Sequence, residues 1–197
     1  MGHREDLLDG AKRALYEKGY ARITARDIVA ASGTNLASIG YHYGSTKALL
    51  TAAMLSAMDD WGQAFAVALA EEHDDPDEDP MLRFWRRVVG SIQKDRPLWL
   101  ASVEALTQSE HDPELRAQLA GGVHQGRRGM AALVTGRPEE EIDEATVRTV
   151  GAAQMALLSG VVTQWLTDPT TAPTPEEIVT GVRALAGPAT TGTGSEP

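Results

Sequence analysis

Apolar residues recur every three or four positions along almost the whole of this chain, and runs of that period fold as amphipathic helices. Leu7, Leu8, Ala11, Ala14 and Leu15 form the first such face, which Gly19 ends. A second, short helix over 25–32 has Thr24 as its cap and Asp27 in capping-box position. Ile23 and Ile28 stand where a hydrophobic staple would place them, and Gly33 supplies the turn that follows. Asn35 is suited to cap a third helix, Leu36 through Tyr43, which Gly44 closes. Ser45 then caps a much longer fourth helix, with Leu49, Leu50, Ala53, Met54, Ala57, Met58, Trp61 and Phe65 on one side.

The same period continues to the far end. The acidic run at 71–80 reads as a solvated loop. A fifth helix holds Met81 through Ile92 and breaks at Arg96-Pro97, and a sixth holds Leu98 through Leu106. A seventh runs from Pro113 to about Val134, weakened by Gly121, Gly122, Gly126 and Gly129. An eighth starts near the acids at 139–144 and reaches Leu166, and Pro175 opens a ninth. No convincing strand and no internal repeat interrupts the series. The expectation is an all-α fold of about nine helices. Residues 1–47 form a three-helix unit, 48–187 a larger helical unit, and 188–197 a disordered tail.

Composition narrows the chemistry. The 197 residues include no Cys, which removes disulfides, thiolate catalysis and Cys-type metal sites. The five His show no i, i+4 pair on one helix, so no metal site and no cofactor is expected. The N-terminus has no apolar signal core, and the most apolar stretch, 151–166, is broken by Gln154, Ser159, Thr163 and Gln164. The expectation is a cytoplasmic protein with no membrane partner. Net charge is −10, yet residues 1–50 carry seven Lys/Arg against five Asp/Glu. The acidic excess therefore lies entirely beyond residue 50. A near-neutral first segment and nucleic-acid binding are both compatible with that asymmetry.

Two short helices joined at a glycine, following an amphipathic first helix, make a helix-turn-helix candidate; a generic helical hairpin would show the same period. In a helix-turn-helix, the second helix of the motif puts its N-terminal residues against base edges in the major groove. Asn35, Ala37 and Ser38 suit the outer face, with Ile39 turned inward toward Ile28 and Leu15. Base readout falls to Thr34, Asn35, Leu36, Ala37 and Ser38. Asn35 either pairs with adenine or caps its helix, while Leu36 or Ala37 can touch a thymine methyl. Thr24, at a helix N-terminus, suits a phosphate, as does the start of the fourth helix with Lys47. Tyr41 and His42 are candidates for phosphate or sugar contacts, with packing against the first helix as the alternative.

The segment ITARDIVAASGTNLASIGYHYGSTKALL, residues 23–50, resembles the DNA-binding signature of TetR-type (tetracycline-repressor-like) transcriptional regulators. The resemblance rests on Thr24 with Asp27-Ile28, the Ala31/Gly33 turn, Ile39, the Tyr41-His42-Tyr43 cluster, and Ser45 ahead of Leu49. Three positions depart from the family pattern: Gly40 replaces a usual Tyr, Tyr43 a usual Phe, and Thr46 a usual Lys. Lys47 follows one residue later, rotated by about 100° around its helix.

The resemblance implies a ligand-responsive repressor, released from a palindromic double-stranded DNA operator by a small apolar or amphipathic effector. It also implies a homodimer. Small residues along 151–160 permit close helix approach, and Val150, Leu157, Val161, Trp165, Ile178 and Val182 are the expected interface, packing within one subunit being the alternative. The expected effector pocket draws on Met58, Trp61, Trp85, Trp99, Val103 and Gln154, since Trp and Met suit adaptable apolar sites. The rival readings are a DNA-binding regulator whose large unit senses a protein partner or nothing, and, more distantly, a helical enzyme. For the latter, GGVHQGRRG (121–129) loosely echoes a phosphate loop but lacks its Lys-Ser/Thr pair.

Overall fold

A computed structural model describes residues 2–71 and 79–187. Among the described residues nine helices carry the fold: α1 His3–Lys18, α2 Ala25–Ser32, α3 Leu36–Tyr43, α4 Thr46–Glu71, α5 Pro80–Lys94, α6 Arg96–Gln108, α7 Pro113–Thr135, α8 Glu144–Thr167 and α9 Pro175–Ala186. Single 3-10 turns cover Tyr20–Arg22, Ser109–His111 and Glu139–Glu141, and no described residue is in a strand. The all-α architecture is therefore the one expected. The acidic run at 72–78 and the tail at 188–197 lie outside the described residues.

Local chemistry sets the helix starts. Thr24, Asn35, Asp79, Asp112, Asp143 and Thr174 each accept a backbone N–H from the first turn that follows. Pro80, Pro97, Pro113 and Pro175 fall in first turns, where a missing N–H leaves no bond unmade. The glycines of α7 do not break it. A Cβ on Gly126 would lie 2.6 Å from the Met155 Cε, so that small residue lets α8 pack close. The segment 121–129 is thus the interior of a helix and forms no loop around a phosphate.

The eighth helix contains a feature its sequence does not announce, a π-helical turn over Val147–Gly151. There α8 presses against α7 so closely that a Cβ on Gly151 would sit 2.1 Å from the Arg127 carbonyl oxygen. Only glycine fits. By length and composition α8 could cross a membrane despite its polar interruptions, and only 28% of its most apolar window is buried inside the fold.

Two large apolar cores result, beside a small cluster of Ala131, Ile142 and Val147. The upper one joins Leu7, Leu15, Ile28, Ile39, Leu49 and Met54 to Leu98, Ala101 and Ala105 of α6 and Leu115 of α7. The lower one holds Phe65, Phe84, Trp85, Val88, Trp99, Leu158, Val161 and Ile178. Met58 and Trp61, both half-buried on α4, border both. The first three helices therefore do not close a core alone; α4, α6 and α7 complete it.

Candidate nucleic-acid interface

Helices α2 and α3 are pinned from below. Ile28 is fully buried and Ile39 nearly so, both in the upper core with Leu15. A Cβ on Gly10 of α1 would meet Ser32 of α2 at 2.5 Å, so these helices cross in near backbone contact. Arg13 of α1 donates to the Ala31 carbonyl at 2.5 Å, and Gly33 takes the left-handed conformation that ends α2. Tyr43 donates its hydroxyl to the Arg4 carbonyl at 2.9 Å, tying the end of α3 to the start of α1.

The opposite face of α3 meets solvent. Leu36 is 54% and Tyr41 86% exposed, with Ala37 and Gly40 on the same side. His42 is half-buried and stands edge-on to Tyr41 at 4.8 Å. Of that cluster it is Tyr43, not Tyr41, whose hydroxyl reaches α1.

Several side chains expected to face outward have internal partners. Asn35 Oδ1 accepts from both the Ser38 backbone N–H at 3.0 Å and the Ser38 hydroxyl at 3.2 Å. Between the two readings open for Asn35, the cap is the one formed. Thr34 and Ser32 share a hydroxyl–hydroxyl bond of 2.7 Å. Thr24 sits in a closed capping box: its Oγ accepts from the Asp27 N–H and donates to the Asp27 carboxylate. Asp27 also receives Lys18 at 2.5 Å. That Lys18 bond, with those from Thr24, pulls the Asp27 carboxyl down to about 2.

Lys47 is the clearest departure from the sequence reading. Its ammonium lies 2.5 Å from the Asp112 carboxylate, the residue that caps α7 through the Leu115 N–H. The hydrogen bond to Lys47 holds the Asp112 carboxyl below its usual range, and the same bond raises Lys47. Lys47 thus bridges α4 to α7 and presents no free charge to a phosphate in this conformation. A second bridge joins the turn ahead of α2 to the body: Glu104 of α6 accepts the Ala21 backbone N–H at 2.9 Å. No spacing rule in the sequence signals either pair.

Sequence reasoning also passed over Arg26, exposed in the first turn of α2. A cation there opposes the helix dipole, and that mismatch was the available signal.

The comparisons fall on the same elements. Residues 7–53 match the model of the bacterial regulatory proteins of the tetR family, and residues 94–190 match the MftR C-terminal domain. The chain belongs to the TetR family of transcriptional regulators. Among solved structures it is similar to the multidrug binding protein EbrR complexed with proflavin, at 24% identity and a TM-score of 0.66, covering 93% of this chain and 99% of that one. EbrR complexed with imidazole gives 25% identity and a TM-score of 0.63, covering 95% of this chain and 92% of that one. A TetR family member from Streptomyces coelicolor A3 gives 24% and 0.62, covering 94% and 98%. No curated protein matches the chain at a significant level.

The residues expected to line an effector pocket divide. Trp61, Trp85 and Trp99 come from α4, α5 and α6 into one aromatic cluster, where Trp61 and Trp99 meet edge to face at 4.8 Å. The buried indole N–H groups of Trp61 and Trp99 find no hydrogen-bond partner among the described residues. Met58 borders the cluster and Gln154 is half-buried on α8. Val103 is a correction: it is 44% exposed on the outer side of α6, because the inward positions there go to Trp99, Ala101 and Ala105.

The expected dimer residues divide likewise. Ile178 lies in the lower core of its own subunit, a correction to its outward assignment. Trp165 donates its indole N–H to the Pro173 carbonyl at 3.2 Å, within the α8–α9 connection. Val150, Leu157 and Val182 are half-buried. Val161 is likewise buried in the lower core, though with the half-buried Leu157 it borders an open apolar groove on α8 beside Ala153, Ala156, Gly160 and Gln164.

Proposed function

We propose that this TetR-family protein is a ligand-responsive repressor, binding a palindromic operator as a homodimer in the cytoplasm and releasing it when a small apolar or amphipathic effector binds. The observation that carries the DNA reading is the exposed α3 face. A helix locked from below by Ile39 holds Leu36 and Tyr41 in solvent, where the hydrophobic effect opposes them unless a partner covers them. In this reading Thr34 through Ser38 face the major groove, while Arg26, Tyr41, His42 and the α2 N-terminus at Thr24 meet the phosphates. The working boundary between reading unit and sensing unit is residue 47, with the upper core crossing it.

Dimerisation is supported by the α8 groove, whose small residues admit a second helix at close range, and by how little of that apolar helix its own subunit covers. Pairing would set two α3 helices on successive turns of one duplex face, hence a palindromic site. Effector sensing is supported by the aromatic cluster that Trp61 and Met58 connect to the upper core. A ligand there would bias the α4 and α6 positions on which α3 rests.

Proflavin is a suitable probe, as the multidrug binding protein EbrR has been seen with it. Added to the DNA-free protein, it should quench tryptophan fluorescence and raise the melting temperature. A flat response in both would remove this ligand class. Leu157→Glu should give monomers in sedimentation and weaken operator binding; an intact dimer would place the interface elsewhere.

A further inference from the structure

Apart from the Tyr41 hydroxyl at one end, which the reading above gives to a phosphate, the outer strip of α3 carries no side-chain hydrogen-bonding group. The strip consists of Leu36, Ala37, Gly40 and Tyr41, spaced i, i+1, i+4 and i+5 along one side of the helix. The polar residues at its N-terminal end are partly engaged with one another. Asn35 Oδ1 takes two bonds from Ser38, the Ser38 hydroxyl is one of those donors, and the Thr34 hydroxyl pairs with Ser32. Bidentate recognition of adenine needs both the oxygen and the nitrogen of an Asn amide. With its oxygen engaged, Asn35 keeps only a donor. A Cβ on Gly40 would meet nothing within 4 Å, so no side chain fills the middle of the strip and the backbone itself can approach a base edge.

We infer that α3 recognises its operator mainly through thymine C5-methyl groups packed against Leu36 and Ala37, rather than through bidentate hydrogen bonds to base edges. This rests on the DNA-binding reading given above. In the major groove the thymine methyl is the one apolar feature a base pair presents, and it suits an apolar side chain held in solvent. Affinity comes separately from phosphate contacts around the strip, where Arg26 stands exposed. Sequence choice is therefore apolar and affinity electrostatic, and the two separate on changing salt.

Uracil tests this cleanly, because it differs from thymine only by that methyl. The full-length protein is challenged with two random-sequence duplex pools, one amplified with dTTP and one with dUTP in its place. The dTTP pool should yield a thymine-bearing palindrome. That selected duplex, remade with deoxyuridine at single half-site positions, should lose about fourfold in affinity for each contacted methyl, the worth of one buried apolar carbon. A 5-methylcytosine at such a position should bind better than cytosine. Leu36→Ala, at an exposed position that spares the fold, should abolish the thymine-over-uracil preference at one position per half-site and leave it at the others. Equal affinity for thymine and uracil duplexes would overturn the methyl readout while leaving DNA binding intact. Enrichment from neither pool would overturn the DNA-binding reading itself.

Discussion

The upper and lower cores are built from different materials. The upper one, beneath α2 and α3, is mostly aliphatic: Leu7, Leu15, Ile28, Leu49 and Leu98 are fully buried, and alanines at 11, 53, 101 and 105 let the helices approach. Its buried Tyr20 and Thr51 hydroxyls pair with each other at 3.0 Å. The lower core adds an aromatic cluster to its aliphatic residues: Phe65, Phe84, Trp85 and Trp99 make edge-to-face and tilted contacts that centre on Trp61 and Phe65, and two indole donors there have no acceptor among the described residues. Close-packed aliphatic side chains fix one geometry, whereas aromatic clusters with unmet hydrogen bonds hold free energy that another arrangement or a ligand can recover. In the function proposed above, rigidity would lie beneath the face that reads DNA and adaptability beside the cluster that senses the effector.

Substitutions can break that contrast. The largest effect is expected at Leu98, which belongs to α6 but completes the upper core. Leu98→Ala should cost about 2–5 kcal/mol and strip hydrogen-exchange protection from α1 through α3. Val88→Ala, in the lower core, should leave that protection in place. If both variants loosened α1 through α3 equally, the two cores would be one.

A smaller effect is expected at Trp99. Trp99→Phe removes an orphaned donor along with some apolar area, and these oppose each other, so stability should move by no more than about 1 kcal/mol in chemical denaturation. A larger loss would mean that the indole N–H has a partner in solution. Smaller still in stability is Asp112→Asn, which keeps an oxygen to cap α7 but releases Lys47. Its readout is DNA binding: the log–log salt slope should steepen by about one unit as Lys47 reaches a phosphate. An unchanged slope would confine Lys47 to a structural role.

The last prediction concerns acid. The carboxyls of Asp27 and Asp112 are lower in the folded chain than unfolded, so each contributes stability that is complete above the ordinary carboxylate range. That contribution fades as pH falls. For Asp27 the loss should run from about pH 4 down to about 2, and Asp27→Asn should flatten that part of the acid-melting curve. An unchanged curve in the variant would contradict the Lys18–Asp27 pairing.

The helices and their caps were legible because helix starts are local events: Thr24, Asn35 and Ser45 act on residues three positions away. The buried faces were legible too, since Ile28 and Ile39 follow from period alone. What stayed hidden depends on residues far apart in the chain. Lys47 meets Asp112 across 65 positions, and Ala21 meets Glu104 across 83. The inward turn of Ile178 and the outward turn of Val103 depend on which side of each helix a neighbour covers. The π turn at Val147–Gly151 arises from contact with α7, which no local propensity encodes.

In the proposed function α3 enters a duplex groove while the lower core stays away from DNA. Amide hydrogen exchange, compared with and without a duplex selected from the dTTP pool, tests this directly. Protection gained at residues 24–27 and 34–43, with the Trp61–Trp99 region unprotected, is the predicted footprint. Protection confined to α8 and α9, with α3 exchanging as fast as in the free protein, would contradict it.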